Sequence, residues 1–134
     1  MSLKIAPALL RLLETLRQEN GLQGQSVIFN FRDPEYSAET GGFHPVEIMT
    51  EADGSLVYVT DFTYVGQGQD AELATELNWD FKAGEYEQLW YGANLPIQVG
   101  AQMFGIWQKN FLSYQQMKVF EVEVTGLNQQ LQLN

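Results

Sequence analysis

At 134 residues, 15.2 kDa and 45% hydrophobic content, the chain has the size and composition of one globular domain, which sets aside intrinsic disorder. Its formal charge of −10 is uneven, +1 over residues 1–26 and −11 over residues 27–134; so acidic a body repels phosphate backbones, which argues against direct DNA or RNA binding and for a partner with a basic surface. The absence of cysteine and the presence of a single histidine exclude a disulfide framework and zinc in its common ligand sets.

Met1-Ser2-Leu3 has the look of an expression-vector leader and carries no expectation. From Ile5, the residues Leu9, Leu12, Leu13 and Leu16 recur at three- and four-residue spacing, with Pro7 suited to a first turn and Asn20-Gly21 to a cap. This predicts an amphipathic helix within residues 4–20. Lys4, Arg11 and Glu14 interrupt its apolar run, unlike a secretory leader, and no stretch reaches the ~18 apolar residues of a membrane span. The expectation is a soluble, cytoplasmic protein.

Val27, Phe29 and Phe31 alternate into a strand ending near Arg32, and Asp33 to Gly42 has turn chemistry throughout. Phe43–Thr50 and Leu56–Val65 read as a hairpin about Asp53-Gly54, which places Ile48 opposite Val59, Val46 opposite Asp61 and His44 opposite Thr63. Both hairpin faces are apolar enough to predict that both are covered. Ala71–Leu77 has helical composition, but Leu77, Trp79 and Phe81 alternate as a strand, followed by a turn at Lys82–Gly84 and a strand over Tyr86–Tyr91. Pro96 is expected to open a second helix carrying Ile97, Ala101, Phe104, Trp107, Phe111 and Tyr114 on one face to about Met117; Val119–Thr125 closes the pattern as a strand, and Asn128–Asn134 reads as a frayed tail. With no long linker and no repeats, the order predicts one α+β domain: an antiparallel sheet of five to seven strands with an N-terminal helix and a C-terminal-half helix packed on it.

Candidate chemistry concentrates between Phe29 and Ile48. His44 falls diagonal to Asp61 across the hairpin, within reach of a His–Asp pair. No G-x-S-x-G elbow supplies a nucleophile, and Gly66-Gln67-Gly68 lacks the rest of a dinucleotide fingerprint. Glu47, Asp61 and Asp80 are the acids available for a carboxylate pair, without spacing that selects any two. Arg32 emerges into a loop holding Asp33, Glu35 and Glu39, which predicts an arginine clamp on that loop. Binding candidates are therefore Arg32, Asp33, His44, Glu47 and Asp61, with no catalytic residue, metal or cofactor assigned.

The segments FNFRDPEYSAETGGFHPVEI, YVTDFTYVG, GQDAELATELNWDF and FGIWQKNFLSYQQMKVFEVEV, spanning about residues 27–125, resemble a family of uncharacterised conserved proteins of marine gammaproteobacteria such as vibrios. Some members are carried on pathogenicity islands or other mobile elements. That family is similar in fold to the acidic mitochondrial matrix proteins of the mitochondrial glycoprotein superfamily. The resemblance implies a twisted antiparallel sheet flanked by helices, subunits that oligomerise, and a non-enzymatic module that binds proteins; it implies no catalytic residues. The short Gln-rich tail departs from the long C-terminal helix of the mitochondrial type.

The first reading is therefore a non-enzymatic acidic protein-binding module. A second is a small-ligand protein or enzyme with a pocket near Arg32, His44 and Asp61. A third is a nucleic-acid mimic that occupies a basic groove.

Overall fold

The first helix forms where its apolar spacing predicts. A computed structural model describes residues 3–91 and 94–127. In it α1 runs Pro7–Glu19, with Pro7 in the first turn, where a missing N–H breaks no helical bond. It ends in a Schellman motif: Gly21, at φ 68°, donates to Gln18 O at 3.0 Å, and Leu22 donates to Arg17 O at 3.0 Å. Leu9 and Leu13 are buried, and Arg17, one four-residue step further along that face, is buried with them. Burying a guanidinium requires acceptors. Arg17 donates to the carbonyls of Gln25 (3.0 Å), Glu51 (3.2 Å) and Ala52 (3.0 Å) and pairs with Glu14, whose carboxyl it holds below the usual value.

Seven strands make one antiparallel sheet: β1 (Val27–Arg32), β2 (Val46–Thr50), β3 (Leu56–Val65), β4 (Glu72–Asp80), β5 (Glu85–Gln88), β6 (Leu95–Pro96) and β7 (Glu121–Gly126). Their order is β6-β5-β4-β3-β2-β1-β7, so the last strand returns beside the first. The second helix, α2, spans Ala101–Gln116. This is the α+β architecture expected.

The sheet's registers line up into rows. Val124, Phe29, Ile48, Val59, Trp79, Tyr86 and Leu95 are directly paired neighbours across all seven strands. Opposed residues share a face and successive residues alternate, so this apolar row meets Leu9, Leu13, Phe104, Trp107 and Phe111 of the helices in the core. Trp79 packs edge-on to Phe104 at 5.1 Å, and its Nε1 donates to Gly100 O at 3.0 Å. Burial of each such side chain contributes about 1.5–3 kcal/mol. The alternate row on the other face is polar: Glu123, Asn30, Glu47, Thr60, Asn78 and Glu87. Both helices pack on the apolar face, so the expectation that both faces are covered is corrected: Glu47, Tyr58 and their neighbours form a partly open surface.

Several boundaries differ from expectation for local reasons. The hairpin register Ile48–Val59 and Val46–Asp61 holds, but through a three-residue turn in which Gly54 (φ 90°) donates to Glu51 O, with a compensating irregularity at Met49/Thr50. β2 starts at Val46, because Pro45 has no N–H to give a ladder, although its carbonyl still accepts from Phe62 N at 3.0 Å. The helix-like Glu72–Glu76 stretch is strand, its backbone recruited by β3. β5 stops at Gln88, where the chain turns and Trp90 adopts φ 76°. Pro96 lies in the edge strand β6, and a 3-10 turn over Ile97–Gly100 delays α2 until Ala101. Residues 128–134, read as a tail, lie outside the described residues. Among the described residues no helix is long and apolar enough to cross a membrane.

Candidate functional site

Asp61 occupies a place where an acid needs help. Its row reads Val122, Phe31, Val46, Asp61, Leu77, Gln88, and it is 8% exposed on the helix-covered face. A carboxylate so buried is destabilising unless its oxygens are hydrogen-bonded. Trp107 Nε1 of α2 donates to Oδ2 at 2.9 Å, and His44 Nδ1 lies 3.0 Å from Oδ1. The indole N–H, buried too, gains the acceptor that it requires.

Glu76 joins the pair through a bulge. Asp61 faces Leu77 while Phe62 faces Thr75, which leaves Glu76 as the extra residue on β4. A bulge re-aims one side chain against the strand alternation, and Glu76 Oε2 comes within 3.5 Å of His44 Nδ1. The hydrogen bond to Asp61 raises the imidazole above its ordinary pKa; burial acts against it, and the charges of Asp61 and Glu76 add to it. One ligand atom from each of His44, Asp61 and Glu76 lies within 4.8 Å of the others. The cluster sits at the polar end of a cavity of about 280 Å³, whose walls include Phe43, Met103, Ile106, Trp107 and Tyr114. His44 is carried there by the segment between β1 and β2, with Phe43 packed on Tyr114 at 4.6 Å and Tyr36 at 5.4 Å from the imidazole.

A second cavity, about 410 Å³, opens on the other face and takes in Arg32, Asp33, Tyr36, Glu47, Tyr64 and Glu121. The binding candidates are thus split by the sheet: His44 and Asp61 meet on the helix side, whereas Arg32, Asp33 and Glu47 line the open side. The single pocket expected near Arg32, His44 and Asp61 does not form. Nor does Arg32 clamp its loop. Asp33 does so, its Oδ1 accepting from Glu35 N at 2.9 Å and its Oδ2 from Phe43 N at 3.0 Å, while Arg32 is exposed and faces Glu121 across β7. A short carboxylate bonds its own following backbone without ordering a long side chain. Glu47 accepts a hydrogen bond from Tyr58, whose hydroxyl is raised by burial and by that bond. Asp80 faces the open side opposite Tyr58, away from Asp61.

Sequence reasoning missed Glu76 and the role of Trp107. A buried indole demands an acceptor, so Trp107 on the sheet-facing side of α2 carried a usable signal. The bulge carried none, because nothing in Ala74–Leu77 marks an extra residue.

The fold and its site define an α+β protein with an open acidic sheet face on one side and, beside a helix on the other, a buried carboxylate paired with a half-exposed imidazole. The chain belongs to the family described as Protein of unknown function (DUF2787), which it matches over residues 7–125. It is similar to the hypothetical protein of the VSP-II pathogenicity island of Vibrio cholerae, at 34% identity and TM-score 0.77 over 92% of this chain and 95% of that one. It is similar as well to a conserved hypothetical protein of the Vibrio cholerae island VPI-2, at 35% identity and TM-score 0.78 over 92% and 95%. The latter is described as sharing structural homology with the human P32 protein. No curated protein matches. The family resemblance read from the sequence is therefore confirmed.

Proposed function

We propose that this protein is a non-enzymatic, cytoplasmic protein-binding module whose open sheet face recognises a basic surface on its partner. The observation that carries this reading is the charge of that face. Glu47, Asp80, Glu85, Glu87, Glu121 and Glu123 all point to it, and Arg32 is the one cation among its strand residues. A face so weighted to one sign raises the association rate with an oppositely charged partner and disfavours wrong ones. The P32 likeness of the VPI-2 protein supports a binding role and the assembly of several copies, which would multiply the acidic faces presented.

The test compares the wild-type chain with Glu85→Gln/Glu87→Gln/Glu121→Gln/Glu123→Gln, as bait in native lysate at about 0.05 M and about 0.5 M salt, on either side of the ~10 Å Debye length at 0.1 M. Partners captured only by wild type and only at low salt support the reading. Capture that is insensitive both to salt and to the substitutions overturns it. DNA that displaces the captured partner would identify a mimic of nucleic acid as the form that binding takes.

A further inference from the structure

On the opposite side of the sheet from the acidic face, a different chemistry is assembled. We propose that His44, Asp61 and Glu76 form a site for one divalent first-row transition ion.

The donors come from three separate places: the segment before β2, the middle of β3 and the bulge of β4. Their convergence is specific. Nδ1 of His44 lies 3.0 Å from Asp61 Oδ1 and 3.5 Å from Glu76 Oε2. At metal–ligand bonds of about 2.1 Å these separations correspond to ligand angles of roughly 90° and 110°, those of octahedral and tetrahedral coordination. A neutral imidazole and two carboxylates match in charge what a divalent ion supplies. Imidazole with carboxylate suits the transition ions, whereas magnesium and calcium favour oxygen alone.

The surroundings are those of a supported site. Trp107 Nε1 binds the Asp61 oxygen that does not face His44, which fixes the carboxylate's orientation as an outer-shell partner does. Glu76 reaches the cluster only because the β4 bulge turns it toward Leu77's side. The cluster opens into the cavity of about 280 Å³, room for water or a ligand oxygen to complete the coordination sphere. A salt bridge between His44 and Asp61 needs neither Glu76 nor the open volume. This proposal does not depend on the acidic face, and the two can fail separately.

Zn²⁺ is the probe, titrated calorimetrically into the chelator-stripped 134-residue chain. The expected result is one saturable ion per chain, with affinity lowered by at least the roughly tenfold to hundredfold that loss of a supporting group costs in both His44→Gln and Glu76→Gln. Glu121→Gln/Glu123→Gln on the far face should leave affinity unchanged. Asp61 is left intact, because its loss also orphans the Trp107 indole. The single histidine allows a second readout: at saturating Zn²⁺ its ring nitrogens should report a metal on Nδ1 and the proton on Nε2. Non-saturable binding, affinity indifferent to His44→Gln and Glu76→Gln, or an Nδ1 that stays protonated at saturation would each overturn the proposal.

Discussion

The same strands carry opposite chemistry on their two faces. Between Ile48 and Glu47 and between Trp79 and Asn78, one step along the chain moves from a fully buried apolar core to a partly open polar surface. The helix-covered face admits Asp61, joined by Glu76 at the bulge, and surrounds Asp61 with donors; the open face gathers acids and leaves most of them free to meet solvent. Stability is therefore concentrated on one side of the sheet and electrostatic recognition on the other, so substitutions on the two sides should read out in different experiments.

The sharpest way to break that contrast is a pair of neighbours. Trp79→Ala should cost about 3–5 kcal/mol by urea denaturation, whereas Asn78→Ala, which loses its bond to Thr60, should cost only about 1 kcal/mol; equal costs would mean that the open face is covered in solution. Next, Asp61→Ala should destabilise by about 1–3 kcal/mol by leaving the Trp107 indole unpaired. A double-mutant cycle with Trp107→Phe should return a coupling energy, and additivity would show that the bond contributes nothing.

The close fit of the core face extends to its covering elements. A Cβ at Gly100 would sit 2.6 Å from Tyr86 Cγ and 2.7 Å from Trp79 Nε1, inside van der Waals contact with rigid rings, so Gly100→Ala should cost about 1–3 kcal/mol. Five residues on, Gly105 of α2 meets nothing within 4 Å, and Gly105→Ala should instead raise the melting temperature through a gain of about 0.5–1 kcal/mol. Smallest of all, neutralising Glu85, Glu87, Glu121 and Glu123 together should alter stability by no more than about 0.5 kcal/mol per site while abolishing salt-sensitive partner capture.

Much of this contrast could be read from the chain alone. The spacing of Leu9, Leu12, Leu13 and Leu16 located α1's buried face, but the burial of Arg17 one step beyond Leu13 was not read from it. The alternation in Val27–Phe31 and the Asp53-Gly54 turn set the hairpin pairing correctly, because a loop one residue longer than expected was offset by an irregularity in the ladder. What stayed hidden was decided by non-local pairing. Glu72–Glu76 has helical composition and became strand because β3 offered it partners. The bulge that brings Glu76 to His44 depends on how two strands accommodate each other. Arg32 drew notice as a lone cation, yet Asp33 beside it makes the loop's bonds, since short side chains close local turns more readily than long ones.

The sheet's outer border has a consequence for assembly. β6 has only two residues, Leu95 and Pro96, and proline has no N–H with which to receive another strand. At β6 itself the ladder is capped, while β4 runs past β5 and leaves Glu72–Thr75 without a pairing strand on that side among the described residues. β7 offers the longer edge, Glu121–Gly126, and two copies that met edge to edge through it would form a two-fold symmetric union that ends at a pair instead of growing into a fibre.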